Sequence, residues 1–266
     1  MLYLKMKLTK IDIFKTDLPF DVKEALIGLP VYDSSSSPEA RVYFIDKDSG
    51  YFIKVADIGT LKREAEMTDY FHSIGYSKHT LYYATRDKDI LVTEKIEGAD
   101  LTSDLYLSNP RKLAAALGET LRELHEKSYD GCPVTNRTAD YLATAKEGYT
   151  LHRFDPSYID RRLNIRDSDA VWEYITKNAG LLENEVLLHG DFCLPNVIFN
   201  DWALSGYIDL GGAGVGDRHV DLFWGAWTLN FNLGTEDYRD TFLDAYGKEL
   251  VNEEKLLLIS AIEAFG

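Results

Sequence analysis

The chain has 266 residues, 45% of them hydrophobic, which is enough to bury the cores of two modest lobes. Its 44 acidic residues outnumber 29 basic ones, and the formal charge of −15 argues against a nucleic-acid partner while favouring attraction of a small cation. Two cysteines at no metal-binding spacing point to a reducing compartment, and with no long apolar run or signal-peptide core the sequence reads as cytoplasmic, with no membrane partner.

In chain order, residues 41–46 and 50–56 alternate around an Asp48-Ser49-Gly50 turn and predict a strand pair. The second strand carries Lys54 in Tyr51-Phe52-Ile53-Lys54-Val55, where a lysine is costly unless its ammonium meets an anion. Residues 60–71 then show helical periodicity through Leu61, Ala65, Met67, Thr68 and Phe71, and Glu64 on that helix can supply the anion. Taken singly, Lys54 can equally snorkel from an edge and Glu64 decorate a solvated face. The run from Asp33 to Ala40 just before this pair holds four serines and no Gly-x-Gly-x-x-Gly. The hydroxyls of Ser36 and Ser37 can bind phosphate oxygens from a tight turn, and the run also reads as a flexible linker.

Residues 81–85 and 90–95 predict another strand pair, and Gly98 marks the expected boundary between an N-terminal lobe, 1–97, and a C-terminal lobe, 98–266. Beyond it Asn109 is the expected cap of a helix with Pro110 first and a stripe of Leu113, Leu117, Leu121 and Leu124, ended by a packed His125. Ser168 is the expected cap of a helix through Val171, Trp172 and Ile175. Thr235 opens one whose Tyr238, Phe242, Ala245 and Tyr246 share a face, and Asn252 with Glu253 and Glu254 opens the last.

The chemistry concentrates in Leu188-His189-Gly190-Asp191-Phe192-Cys193-Leu194-Pro195-Asn196, with Asp209 thirteen positions after Asn196. Residues 197–199 and 204–208 predict a hairpin around Asn200-Asp201, so Asn196 and Asp209 belong to its open end and offer the oxygen ligands magnesium prefers. Asp191 lies on the preceding loop, which Pro195 stiffens. An aspartate to orient an attacking hydroxyl, followed by an asparagine and an aspartate for the metal, is what phosphoryl transfer requires, although each residue alone is an ordinary turn residue. Cys193 reads as a small packing residue, and Asp217 and Asp221 are expected to brace the loop by accepting backbone hydrogen bonds.

The order Lys54, Glu64, His189-Gly190-Asp191, Asn196, Asp209 resembles the aminoglycoside phosphotransferases, and within them the 3'-phosphotransferase group. The likeness extends through Cys132-Pro133-Val134-Thr135-Asn136, Ser205-Gly206-Tyr207-Ile208-Asp209-Leu210-Gly211 and Gly216-Asp217-Arg218-His219-Val220-Asp221. It implies an α+β, bilobal, protein-kinase-like fold with an antiparallel sheet lobe carrying one key helix and a mainly helical second lobe. It also implies ATP, or GTP, as phosphoryl donor, Asp191 as catalytic base, Asn196 and Asp209 as magnesium ligands, Lys54 on the nucleotide phosphates and Glu64 as its anchor. The adenine is then expected at a hinge over residues 91–96, placing Glu94 and Ile96 at the nucleotide. The chain departs from the group on the acceptor side. Gly211-Gly212 stands where an arginine is usual, Trp227-Thr228-Leu229-Asn230-Phe231-Asn232 replaces a charged helix, and the chain ends Glu263-Ala264-Phe265-Gly266 rather than on a phenylalanine. Asp155, Asp160 and Glu263 remain the acidic candidates for holding a cationic, hydroxylated substrate. A kinase of the same fold for a macrolide, choline-like or sugar alcohol, and a nucleotide-binding pseudokinase, are the alternatives.

Overall fold

Alternating apolar residues build the first part of the chain into strands, and 3.6-residue periodicity builds most of the rest into helices. The computed structural model describes residues 8–16, 18–34, 36–37, 40–85 and 87–266, without the side chains of residues 82–85. Ser35, Pro38 and Glu39 of the serine run and the first seven residues lie outside the described residues. In chain order the elements are β1 (Thr9–Lys10), α1 (Phe20–Ala25), β2 (Val31–Asp33), β3 (Ala40–Ile45), β4 (Tyr51–Asp57), α2 (Lys62–Ser73), β5 (Thr80–Thr85), β6 (Lys88–Glu94), β7 (Ala99–Asp100), α3 (Asp104–Leu107) and α4 (Pro110–His125). They continue with α5 (Arg137–Thr150), α6 (Ser168–Asn178), β8 (Val186–Leu188), β9 (Val197–Asn200), β10 (Ala203–Tyr207), β11 (Gly214–Gly216), α7 (His219–Leu233), α8 (Arg239–Tyr246) and α9 (Glu253–Glu263). Among the described residues no helix is long and apolar enough to cross a membrane.

Two compact units emerge, one of the chain up to Ser103 with Val197–Gly211, the other of Asp104–Asn196 with Gly212–Gly266. The first holds a six-stranded antiparallel sheet in the order β1-β2-β3-β4-β6-β5. Period-two alternation sends Ile53 and Val55 of β4 into a core with Val31, Tyr43, Ile45 and Ile90. The opposite face turns Ala56 toward Leu61 and Ala65 at the start of α2. Buried Asp89 fixes that helix entry by accepting from Leu61 N at 3.0 Å. A second, three-stranded sheet, β10-β9-β7, completes the unit. Its Tyr207 is fully buried against Phe71 and Tyr76, and its backbone N–H donates to Tyr76 O at 2.8 Å.

In the second unit Leu113, Leu117, Leu121 and Leu124 of α4 are all fully buried, as the stripe predicts. Gly118 on that helix lets α8 approach so closely that a Cβ would lie 2.3 Å from Phe242 O. A larger core gathers α5, α6, α7 and α9 around Phe265, which is ringed by Tyr149, Phe154 and Trp172. The caps differ from expectation in three places. Asp167, not Ser168, caps α6 by accepting from Ala170 N. Asn109 occupies the first position before α4, but its amide donates back to Leu105 O and Ser108 Oγ. Thr235 accepts from Asp237 N in a turn, and α8 starts only at Arg239. Asn252 does cap α9, accepting from Glu254 N at 2.8 Å.

Candidate active site

Lys54 sits in β4 on the face that carries Ala56 toward α2. Its Nζ donates to Glu64 Oε2 at 2.8 Å and to Asp209 Oδ1 at 2.6 Å. Burial pulls the lysine pKa down, but the two carboxylates outweigh it and hold the ammonium charged well above the ordinary lysine range. Burial likewise pushes Glu64 up, against the opposing pull of Lys54. Asp209 is different: its side chain is 49% exposed, so it presents a carboxylate to solvent while tied to the lysine.

Local geometry explains where Asp209 stands. In the hairpin Val197 pairs with Tyr207, so Asn196 immediately precedes the first paired residue and Asp209 follows the last by two. The turn falls one residue later than Asn200-Asp201, since Asp201 and Trp202 carry the positive φ values of 47° and 65° that a two-residue hairpin loop needs. Asp209 itself has φ 60°, a left-handed bend that carries the chain out of the strand. Beside Gly211 a hollow of ≈ 470 Å³ is lined by Gly59, Thr60, Lys62, Arg63 and Glu66. The two cations there belong to no motif in the sequence, and their one signal is a pair of basic residues opening a helix.

The other nucleotide-side candidates occupy quieter positions. Ser36 Oγ donates to Asp33 Oδ1 and accepts from Val42 N, while Ser37 Oγ accepts from Ala40 N, so both hydroxyls hold their own turn. Glu94 ends β6 opposite Tyr51, and Ile96 is 6% exposed against Gly206 of β10.

In the second unit the loop after β8 is fixed by backbone bonds. Asp221, fully buried at the start of α7, accepts from His189 N and Gly190 N, both at 2.7 Å. His125 bonds Asp221 through Nε2 and the Tyr246 hydroxyl through Nδ1, and burial lowers its pKa, so it acts as a neutral structural support. Gly190 needs its φ of 83°, and a Cβ there would lie 1.9 Å from Gly212 O. Leu194 N donates to Thr228 Oγ1, a brace from α7 that no sequence signal announced. Asn196 Nδ2 donates to both Asp191 O and Asp191 Oδ2 at 2.9 Å, so the base candidate and the metal candidate are joined directly. Burial and the Asp191 charge keep the Cys193 thiol protonated, which removes it as a nucleophile.

Asp217 does not brace this loop. It accepts from Glu183 N and His219 N, so it anchors the segment entering β8 and the start of α7 instead. Glu185, Asp217 and His219 place ligand-type atoms within 4.8 Å of one another, but Arg218 holds Glu185 and Lys255 holds Asp217, which makes the group an ion-pair network.

The three acidic acceptor candidates do not act alike. Asp155 accepts from Ser157 N, and Asp160 is gripped by Arg162 through Nε and Nη2, with Glu253 on the same guanidinium. Glu263 receives the Tyr141 hydroxyl at 2.5 Å, and the Trp224 side chain also favours its charged form. Burial pushes its pKa up to about 7, with those two groups opposing and the Asp191 charge adding to the rise.

These features have counterparts among known proteins. A model of the phosphotransferase enzyme family matches residues 35–258. A probable aminoglycoside 3'-phosphotransferase from Lactococcus lactis subsp. lactis is 44% identical over 265 residues, covering 98% of this chain and 99% of that protein. An aminoglycoside 3'-phosphotransferase from Niallia circulans is 28% identical over 66% of this chain and 67% of its own. Among solved structures, an aminoglycoside 3'-phosphotransferase of type VIII superposes with a TM-score of 0.72 at 23% identity, over 87% of this chain and 91% of the other. APH(3'')-Id from Streptomyces rimosus, in complex with ADP and streptomycin, does so with a TM-score of 0.69 at 18% identity, over 89% and 90%. The fold is the one these kinases share, and with the family match spanning most of its length the chain belongs to the phosphotransferase enzyme family, alongside the aminoglycoside phosphotransferases.

Proposed function

We propose that the protein is an ATP-dependent kinase that transfers the γ-phosphate to the 3'-hydroxyl of an aminoglycoside antibiotic in the cytoplasm, and so confers resistance. The observation that carries this reading is Lys54 held between Glu64 and Asp209, an ammonium positioned by two acids at the spacing phosphoryl transfer uses. The 44% identity to the Lactococcus lactis relative supports the acceptor class.

In this mechanism Lys54 contacts the nucleotide phosphates and Glu64 holds it in line. Asp191 accepts the hydrogen bond of the acceptor hydroxyl and takes its proton as the oxygen bonds to the γ-phosphorus and the bond to the ADP oxygen breaks. Because the transition state is loose, positioning and charge carry more of the acceleration than base strength. Asn196 and Asp209 fit a hard divalent cation, since both offer oxygen and the bonds from Asn196 Nδ2 to Asp191 turn its Oδ1 into the remaining ligand atom. Magnesium bound there would neutralise charge on the transferring phosphates.

The test is ADP release with magnesium-ATP across 4,6- and 4,5-disubstituted aminoglycosides, their 3'-deoxy analogues, a macrolide and choline, with Asp191→Ala as control. Turnover confined to compounds carrying the 3'-hydroxyl supports the reading. Turnover with the macrolide or choline alone, or ATP binding without turnover, refutes it.

A further inference from the structure

α7 carries two different faces. Val220, Leu222 and Leu229 are buried with the core, whereas Trp224, Trp227 and Phe231, spaced three and four residues apart, form a second stripe that is only half covered. Trp227 and Phe231 lie parallel, 10° apart with centroids at 5.0 Å. Tyr158 extends the stripe, 5.9 Å from Trp224 and 6.1 Å from Trp227, and Phe231 remains 41% exposed. A continuous, partly exposed sheet of rings on a charged protein is unusual unless something covers it.

Its surroundings say what. Trp224 favours the charged form of Glu263, whose carboxyl also feels the charge of Asp191. Thr228, the residue after Trp227, holds the loop at Leu194 N. Burial raises the phenol of Tyr158, and the charges of Glu263, Asp155 and Asp191 add to the rise. Meanwhile Asp160 is held by Arg162, and Asp155 accepts from Ser157 N in its turn. The stripe therefore offers ring faces on a helix that is tied to the catalytic loop through Thr228.

We infer that Tyr158, Trp227 and Phe231 form an aromatic wall that selects the acceptor: an amino-sugar ring packs its C–H groups against the open side of the Trp227–Phe231 stack while its ammonium groups approach the ring faces the stack leaves uncovered. The negative face of an aromatic ring attracts a cation, and the chain's net charge of −15 draws the same ligand in. This inference rests on the kinase reading for its acceptor class, and makes Trp227 a specificity-determining residue of that reaction.

Two readouts test it, both with kanamycin A as probe. In steady state, Trp227→Ala should raise the KM for kanamycin A roughly tenfold, about 1.4 kcal/mol, while the KM for ATP changes less than about twofold and Trp227→Phe stays within about threefold of the parent. In nucleotide-free protein, kanamycin A should change the tryptophan emission, and Trp227→Ala should lose most of that change while keeping the parent's melting temperature. An unchanged kanamycin KM in Trp227→Ala overturns the wall, as does a full emission change in that variant. A parent that turns over no aminoglycoside overturns the kinase reading alone, and the emission titration then decides the wall: a response lost in Trp227→Ala supports it, and no response in the parent refutes it.

Discussion

At Lys54 two carboxylates lie 2.8 and 2.6 Å from one ammonium, whereas the partly exposed stripe of α7 presents rings. The first arrangement depends on the identity of a few charged atoms, because removing one leaves its partners uncompensated in a partly buried site. The second depends on surface, because one ring can replace another at modest cost. Substitutions at the charged site should therefore abolish turnover, and those on the stripe should grade the affinity for acceptor.

The largest losses are expected at the transfer residues. Asp191→Ala should lower kcat by about three orders of magnitude, and Asp209→Asn at least as much, with circular dichroism unchanged in both. Near-parental ATP turnover by Asp209→Asn at saturating magnesium would contradict the charge-based account. Lys54→Ala should lower kcat/KM for ATP by about a hundredfold and leave the emission change with kanamycin A intact. Loss of both together would show that the two regions are not separable.

A smaller effect is expected at the support beneath the loop. Asp221→Asn replaces an acceptor of two backbone N–H groups with an amide, and should cost about 3 kcal/mol in urea unfolding as well as slowing turnover. A stable but slow variant would assign Asp221 to positioning alone.

The last effect concerns pH and reaches stability alone. Burial raises the folded-state pKa of Glu263 from 4.5 to about 7, so between these values the folded protein holds a proton that the unfolded chain has lost. Stability from this group is full below the lower value and falls as pH rises through the window. The parent should lose about 3 kcal/mol across it, and Glu263→Gln should remove that loss. Equal pH slopes for both proteins would show that Tyr141 and Trp224 hold Glu263 ionised throughout.

How much of this was legible in the sequence follows the same contrast. Lys54, Glu64, Asp191, Asn196 and Asp209 stand out because strand alternation, a helical stripe and a hairpin each give a local reason for a polar residue at a fixed spacing. The hairpin was readable from two apolar runs, but its turn moved to Asp201-Trp202 because side-chain preference alone does not say which pair takes the left-handed backbone. Asp167 and Ser168 are both competent caps one residue apart, and only the packed helix chooses between them. Asp160 looked available for substrate because its grip by Arg162 and the link from Arg162 to Glu253 depend on a fold that joins positions 91 residues apart. The bond from Tyr141 to Glu263 spans 122 residues and left no mark in either neighbourhood. The ring stripe was visible as aromatic spacing on one helix, yet its neighbours Tyr158 and Glu263 come from elsewhere, so its meaning was not.

Phosphoryl transfer to a 3'-hydroxyl leaves its record in the product itself. Kanamycin A incubated with magnesium-ATP and the protein should give a single phosphate ester whose phosphorus couples, in a proton–phosphorus correlation spectrum, to the hydrogen on C3'. Coupling at another carbon, or no phosphorylated product from any aminoglycoside while ATP still binds, would contradict it.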